Sequence, residues 1–198
     1  MTRTVAVIRL AVALLMVAAV GREMLHEVQA GTFVPWDFFG YFTIQACLIG
    51  ATALAAAALT GRDAPAWVEY LRACAAVYLV ITVTVYWVML APIDTDVTRW
   101  SNLVNHGVSG AALLVDWLLV GPRRPLPLGR LWVVLVYPVA WVAVALVRGA
   151  TDGWVPYPFL DPVEGYAAVA VTVAGIVIAM LAIGAVLFRT PRWRAVGA

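Results

Sequence analysis

The sequence predicts an all-α membrane protein, a bundle of six transmembrane helices. The chain has 198 residues, of which 64% are hydrophobic and only 12% are charged, and its mean hydropathy is +0.94. A soluble domain is about 45–50% apolar and about 25% charged, so lipid must solvate most of this surface. Six segments approach the ~20 apolar residues that a spanning helix needs. Arginine, in addition, is distributed unequally between the two sets of connecting segments.

The six predicted spans are separated by breaks that are polar or rich in proline and glycine. We expect the spans at residues 5–20, 38–59, 67–91, 101–120, 131–148 and 166–188. Arg3 and Arg9 precede an apolar run, as the charged residues of a signal peptide do. However, Gly21-Arg22-Glu23 is a poor cleavage site. The first span is therefore predicted to be a retained helix, in one transmembrane domain over residues 1–198.

The arginines predict the direction of the spans. Ten of the thirteen belong to the N-terminus, the second and fourth connections, the C-terminus and the adjoining helix ends: Arg3, Arg9, Arg62, Arg72, Arg123, Arg124, Arg130, Arg189, Arg192 and Arg194. The other side has Arg22, Arg99 and Arg148, with eight acids. Arginine-rich short loops stay in the cytoplasm, so both termini are expected there, with the protein in the plasma membrane. The net charge of +2 is too small and scattered for nucleic-acid binding.

Packing of the spans is predicted from short connections and small residues. Short connections favour sequential neighbours, and small residues of the second and sixth spans should allow close approach: Gly50, Ala53, Ala57, Gly175 and Gly184. The chain has no internal repeat and no matched pair of broken helices, which argues against a secondary transporter. Cys47 and Cys74 fall in different spans at different depths and are expected to be apolar fillers rather than a disulfide.

His106 is the most informative polar residue at membrane depth, where an ionisable group is costly. It follows Trp100 by about six residues, which places it roughly 8–9 Å below the outer boundary. It belongs to one helix face, formed by Asn102, Asn105, His106, Ser109 and Asp116. Taken alone, such a histidine is better explained as a helix–helix hydrogen bond.

Thr43 comes to the same depth as His106. It follows Phe38 by about five residues, roughly 7–8 Å into the second span, and a lone threonine there usually bonds the carbonyl one turn back. The second and fourth spans run in the same direction, however. If they are adjacent, the hydroxyl and the imidazole form the minimum apparatus of a nucleophile with a general base.

Polar residues near the same end could stabilise an oxyanion. The candidate donors are Arg148, Tyr86, Gln45, Asn102 and Asn105. For Arg148 the alternatives are snorkelling to the interface and an ion pair with Asp152 or Asp161. No third triad member is evident, although Asp37 or another outer-loop acid could orient the imidazole.

Asp116 is ten residues from His106, about 15 Å along the helix axis. That separation is too great for its carboxylate to orient the imidazole directly. We expect Asp116 instead to tie the inner helix ends to Arg123, Arg124 or Arg72.

Two outer segments leave alternatives open. Glu23, His26 and Glu27 are expected in a loop, where a solvated role is favoured over a metal site. Haem ligation by His26 and His106 is disfavoured because one lies in a loop and the other in a helix. Neither a metal nor a cofactor is expected. The last outer loop is stiff and amphipathic, an interfacial anchor or a lid, with Trp154, Tyr157 and Phe159 as its aromatic residues.

Several short motifs together resemble one known family. They are Tyr41-Phe42-Thr43, Asn105-His106 in a later span, Tyr137-Pro138, and Trp154 with Tyr157-Pro158 in the last outer loop. In order and spacing they are similar to the androgen-induced protein / androgen-dependent TFPI-regulating protein family, and more closely to its predicted six-span actinobacterial relatives. Pro156, inserted between Trp154 and Tyr157, and the short tails depart from the family pattern.

The resemblance implies a function. The family's animal members are intramembrane threonine hydrolases that cleave fatty acid esters of hydroxy fatty acids, with a threonine nucleophile in the second span and a histidine in the fourth. By resemblance, Thr43 is the nucleophile and His106 the base and acid. The expected activity is an intramembrane lipid esterase that forms an acyl-threonine, with membrane lipids and an ester lipid as partners and an oligomeric state on which the sequence is silent. The alternative is a non-enzymatic six-span carrier of lipids or small molecules.

Overall fold

Six helices in the computed structural model are long and apolar enough to cross a membrane. The structure describes residues 3–61, 64–120 and 125–190, which contain no strand. The spans, numbered in chain order, are Arg3–Ala30, Phe42–Thr60, Ala66–Ile93, Trp100–Val120, Leu128–Thr151 and Tyr166–Arg189. The predicted all-α six-helix bundle is confirmed, and the chain is a multi-pass membrane protein. We call the end of the bundle where the second, fourth and sixth spans begin the site end.

The third span is the centre of the bundle. It packs against the second, fourth, fifth and sixth spans, and its residues 72–79 are all buried. Sequential neighbours pack together as predicted, except that the fourth and fifth spans both pack on the third. Alanines at positions 73, 75 and 76 are fully buried, which lets several helices approach one axis closely.

The first span extends well beyond its apolar run. It is helical through residue 30, so the prediction of a loop at Glu23, His26 and Glu27 is wrong. Hydropathy marks where a helix leaves lipid, whereas residues 22–30 include several good helix formers. The helix ends where Gly31 adopts a φ of 72°, the left-handed conformation that favours glycine.

The second span begins four residues later than its predicted start at 38. A short helix, Pro35–Phe38, comes first and is separated from it by Gly40. A Cβ at Gly40 would lie 2.5 Å from the Trp154 ring and 2.8 Å from the Trp36 carbonyl oxygen, so only glycine fits there. Consequently Thr43 is the second residue of its helix and not a residue more than one turn inside it.

The small residues of the second and sixth spans mostly allow the predicted close approach. A Cβ at Gly50 would lie 2.6 Å from Leu79 Cδ1, and Ala53 and Ala57 are buried. Gly184 packs in the same way against the fifth span. The prediction is wrong for Gly175, whose Cβ position has no neighbour within 4 Å because it faces outward.

Both cysteines behave as the sequence predicts. Cys47 and Cys74 are free and buried. The Cys47 thiol lies 3.6 Å from the side-chain oxygen of Asn105 in the fourth span, so it packs between spans as a small, weakly polar filler.

At the end opposite the site, Asp116 connects three spans. Its carboxylate accepts from Arg9 Nε at 2.7 Å and from Arg72 Nη2 at 2.5 Å. The Arg9 and Arg72 side chains are 4% and 2% exposed. The predicted partner Arg72 is therefore confirmed, while Arg123 and Arg124 lie outside the described residues. The first, third and fourth spans are tied by charges that lipid cannot solvate.

Asp116→Asn is expected to destabilise the fold by about 3 kcal/mol, because it removes the carboxylate between two buried guanidinium groups. Glu69→Gln is the matched control, since Glu69 also pairs with Arg72 at 2.9 Å but is more exposed. The control should lose about 1 kcal/mol or less. Thermal unfolding in neutral detergent measures both, and equal losses would contradict a dominant role of Asp116.

Candidate active site

Thr43 and His106 meet at the site end. Thr43 Oγ1 lies 3.3 Å from His106 Nε2, within hydrogen-bond distance. The two residues are 63 positions apart in the chain and come from the second and fourth spans, which run in parallel. Thr43 is 8% exposed, whereas His106 is partly buried.

The position of Thr43 in its helix has an electrostatic consequence. The second span begins at Phe42, so Thr43 lies in the first turn, where backbone N–H groups have no partner within the helix. The positive end of the helix dipole favours negative charge at this point. The Thr43 N–H donates to the hydroxyl oxygen of Tyr157 at 3.3 Å, so an oxygen atom already accepts a hydrogen bond at this helix end.

His106 is aimed by a local irregularity of the fourth span. Residues Val104–Val108 form a π turn in which His106 has φ −114° and ψ 18°. A π turn shifts the following side chains around the helix axis and is common at functional sites. The His106 carbonyl accepts a 2.7 Å hydrogen bond from the indole nitrogen of Trp87.

Asn102 fixes the tautomer of His106. The Asn102 side-chain nitrogen faces only acceptors, among them Tyr86 Oη at 2.5 Å and Asp94 Oδ2 at 3.0 Å. The amide oxygen therefore points to His106 Nδ1, 2.5 Å away. Because a carbonyl oxygen can only accept, Nδ1 carries the proton. Nε2 is then an acceptor, and the Thr43 hydroxyl donates to it.

Tyr86 and Asp94 support this arrangement from the third span and the connection after it. The Tyr86 ring stacks on the His106 ring with centroids 3.8 Å apart and an angle of 12° between the planes, and its hydroxyl donates to Asp94 Oδ2 at 2.5 Å. Partial burial by itself raises the pKa of Asp94, but hydrogen bonds from Tyr86, the Asp96 N–H and Asn102 bring it below its usual value. Asp94 is therefore an anion at neutral pH.

Tyr157 brings the last loop to Thr43. Its hydroxyl lies 3.4 Å from Thr43 Oγ1 and also accepts from the Thr43 N–H. Burial raises the pKa of Tyr157 to about 12, because the charged phenolate is poorly solvated there. The phenol is neutral at physiological pH and can donate a hydrogen bond.

Arg148 does not reach this site, contrary to the prediction that it is an oxyanion donor. Its guanidinium donates to Asp37 Oδ1 at 2.7 Å and to Asp152 Oδ2 at 2.9 Å and lies over the Trp154 ring at 4.2 Å. The partners are thus the predicted alternative Asp152 together with Asp37. Pairing with Arg148 also removes Asp37 as a group that could orient the imidazole.

Three more predicted oxyanion donors have other partners. Gln45 donates to the Phe39 carbonyl and accepts from Tyr137, which ties the start of the second span to the fifth. Asn102 and Tyr86, as described above, orient and stack on His106. The hydrogen bonds of these residues go to partners other than Thr43, and their oxyanion role stays a prediction.

Asn105 differs from the other predicted oxyanion donors because its side-chain nitrogen has no partner in the described part of the chain. It is 2% exposed and lines the same cavity as Thr43 and His106. Its side-chain oxygen accepts from Cys47, while its side-chain nitrogen makes no hydrogen bond among the described residues. An amide donor of this kind remains free for a ligand.

Two cavities meet at Thr43. The first, which we call the vestibule, has a volume of about 460 Å³. It is lined by the site-end parts of the first four spans, by the connection between the third and fourth spans and by residues 156–158. The second, which we call the apolar pocket, has a volume of about 120 Å³ and lies between the third, fifth and sixth spans. Thr43 and Tyr157 line both, whereas His106 lines the vestibule alone.

The apolar pocket reaches the lipid-facing surface. Its lining includes Ile81, Val173 and Met180 and contains no charged residue. Val139, on its fifth-span side, is 52% exposed, which puts one edge of the pocket at the outside of the bundle. An apolar chain in the bilayer could therefore enter it without crossing water.

The loop between the fifth and sixth spans covers the apolar pocket and packs on the site. Tyr157 and Phe159 line that pocket and stack on each other with centroids 5.2 Å apart. Trp154 contacts the Tyr41 ring at 5.8 Å and lines a separate cavity with Arg148. These contacts are consistent with the lid alternative for Tyr157 and Phe159, whereas Trp154 packs away from Thr43.

The acids of the first span do not form a metal site. The Arg99 guanidinium donates to Glu23 Oε2 at 3.1 Å and lies 3.1 Å from His26 Nε2, so a cation already occupies the space between them. No group of three or more metal-ligating side chains occurs in the part of the chain that the structure describes.

Comparison with known proteins identifies no family for this chain: no family model, no curated protein and no solved structure matches it. The resemblance drawn from the short motifs therefore stays a prediction, and the geometry carries the functional argument.

Sequence reasoning placed Thr43 and His106 together but missed the role of Asn102. The signal was present, because Asn102 precedes His106 by four residues and so lies on the same helix face. The contact of Tyr157 with Thr43 had no such signal, since it joins residues 114 positions apart.

The raised pKa of Tyr157 predicts a pH effect. An unfolded tyrosine ionises near pH 10, whereas Tyr157 in the fold stays protonated to about pH 12. Between about pH 10 and 12 the unfolded chain loses this proton first, so a rise in pH destabilises the fold. Unfolding measured across this range should lose less stability in Tyr157→Phe than in the wild type. Identical pH profiles of the two proteins would contradict burial of the hydroxyl.

Proposed function

We propose that the protein is an intramembrane lipid esterase with Thr43 as nucleophile and His106 as general base and acid. One observation carries the proposal: the Thr43 hydroxyl lies 3.3 Å from a histidine nitrogen that Asn102 holds as a proton acceptor. A threonine hydroxyl needs such a base to become nucleophilic at neutral pH. The order of groups, hydroxyl, imidazole and amide, is that of nucleophile triads on unrelated folds.

The first half-reaction transfers the acyl group to the protein. Thr43 Oγ1 attacks the ester carbonyl carbon while its proton passes to His106 Nε2. The tetrahedral intermediate collapses, the bond to the alcohol oxygen breaks, and Nε2 returns the proton to that oxygen. The products are the free alcohol and an acyl-threonine.

Water completes the cycle from the vestibule. A water molecule gives its proton to His106 Nε2 and attacks the acyl-threonine carbonyl. When the second intermediate collapses, Thr43 Oγ1 takes the proton back and the fatty acid is released. Asn102 stabilises the imidazolium of both steps by accepting from Nδ1.

The oxyanion is stabilised at the helix N-terminus. The Thr43 N–H and the Tyr157 hydroxyl already share one hydrogen bond at this point, and both can donate to an oxygen that replaces the resting contact. The helix dipole adds to the effect. Asn105, with its free amide nitrogen in the vestibule, is a further donor.

The two cavities support a substrate with one apolar chain and one polar half. The acyl chain enters the apolar pocket from the bilayer, which makes membrane lipids the partner and source of substrate. The resemblance implies fatty acid esters of hydroxy fatty acids or similar ester lipids. The mechanism uses only groups of this chain.

The protein is proposed to lie in the plasma membrane with both termini in the cytoplasm. Among the described residues, the end opposite the site carries Arg3, Arg9, Arg72, Arg130 and Arg189, and the positive-inside rule places such an end in the cytoplasm. The site then faces the outer leaflet.

A fluorophosphonate activity probe tests the nucleophile. We expect the wild type and Thr43→Ser to be labelled, Thr43→Ala to be unlabelled, and His106→Ala to react about 10²- to 10⁴-fold more slowly because the base is lost. Mass spectrometry of the labelled peptide should place the adduct on residue 43.

Thr52→Ala is the matched control in the same helix. The Thr52 hydroxyl donates to the Leu48 carbonyl at 2.8 Å and plays no part in the site, so this variant should label as the wild type does. Equal labelling of the wild type, Thr43→Ala and His106→Ala would contradict the hydrolase and favour the non-enzymatic carrier.

Asn102 is proposed as a positioning residue. Asn102→Leu should lower kcat by about 10²-fold with little change in KM, because the tautomer is no longer fixed. Asn102→Asp keeps an acceptor for Nδ1 and should recover part of kcat, with the acid limb of the pH–rate profile shifted upward as the imidazolium is stabilised. Equal effects of the two substitutions, with unchanged pH profiles, would indicate a merely structural role.

A further inference from the structure

The charged groups around the vestibule are mostly acidic. Four carboxylates line it and one guanidinium: Glu23, Glu27, Asp94, Asp96 and Arg99. The Arg99 guanidinium is already bonded to Glu23, His26 and Asp96. A ligand anion would therefore meet an excess of negative charge and an arginine whose donors face other partners.

The vestibule is also the side on which the alcohol leaves. His106 must return a proton to the alcohol oxygen, and His106 lines the vestibule but not the apolar pocket. The proposed function places the acyl chain, in contrast, in the apolar pocket, which has no charged lining residue. The ester carbonyl then lies at Thr43, where the two cavities meet.

Asn105 provides an independent sign of a polar ligand in the vestibule. Its side chain is 98% buried, being 2% exposed, and its amide nitrogen has no acceptor among the described residues. This nitrogen retains some exposed surface in a residue that lines the vestibule, so it can donate to a ligand there. An oxygen on the ligand would satisfy it, whereas an apolar group would not.

We propose that the alcohol half of the substrate is oxygen-bearing and either uncharged or cationic, and that the acidic vestibule rejects esters whose alcohol half carries a carboxylate or phosphate. This inference rests on the proposed hydrolase function. It departs from what the resemblance implies, because a hydroxy fatty acid brings a carboxylate on its alcohol half.

Three esters with the same dodecanoyl chain test the inference, with choline, glycerol or glycolate as the alcohol. In neutral detergent we expect kcat/KM to be highest for the cationic or neutral ester and about tenfold lower for the anionic ester at low ionic strength. Added salt should reduce the difference in kcat/KM between the esters, since the Debye length falls from about 10 Å at 0.1 M to about 3 Å at 1 M. Equal rates, or a preference for glycolate, would overturn the inference.

Charge-removing variants identify the source of the preference. Glu27→Gln and Asp96→Asn should each reduce the choline-to-glycolate ratio by about two- to threefold, because each removes one negative charge from the vestibule. Asp161→Asn is the matched control, an acid at the same end that does not line the vestibule. An unchanged ratio in both vestibule variants would contradict the assignment.

The same charge series separates the two proposals. If none of the esters is hydrolysed in a Thr43-dependent manner, the hydrolase proposal fails. Binding of the corresponding non-hydrolysable dodecyl ethers to the wild type then tests the charge preference alone. Weakest binding of the glycolate ether supports it, while equal or reversed affinities overturn it.

Discussion

The hydrogen bond between His106 Nδ1 and Asn102 Oδ1 is the interaction on which the candidate site depends. It leaves Nε2 unprotonated toward Thr43, and without it the imidazole could present either nitrogen as a donor. The amide is held in turn by Tyr86 and Asp94. The Thr43–His106 pair is therefore positioned by a chain of hydrogen bonds that runs through Asn102 to the Asp94 carboxylate.

Lipid as the solvent explains where these polar groups lie. Inside a bilayer each polar side chain must find its partner within the protein. Polar networks accordingly occur at both ends of the bundle, around His106 at one end and around Asp116 at the other. Between them the third span is closely packed by neighbouring helices, which fixes the two networks relative to each other.

The placement of Thr43 and His106 at the same end of parallel helices was predictable, because the order and alternating direction of the spans follow from the sequence pattern. The start of the second helix was not, because it depends on Gly40 fitting beneath Trp154. The ion pair between Arg148 and Asp37 was not predicted, for a related reason. Which nearby acid Arg148 contacts depends on the fold of the connection that carries Asp37. The sequence placed Asn102 on the same helix face as His106. Its hydrogen bond to His106 Nδ1 became visible only once the orientation of its side-chain amide was known.

The sequence by itself determined the solvent, the number of spans and the end of the bundle at which Thr43 and His106 lie, because these follow from local hydropathy and the order of the spans. Only the tertiary structure decided which polar groups meet. The π turn at His106, the approach of Tyr157 to Thr43 and the junction of the two cavities each join segments distant in the chain. Their geometry depends on packing and hydrogen bonding among all the helices, which no local pattern encodes.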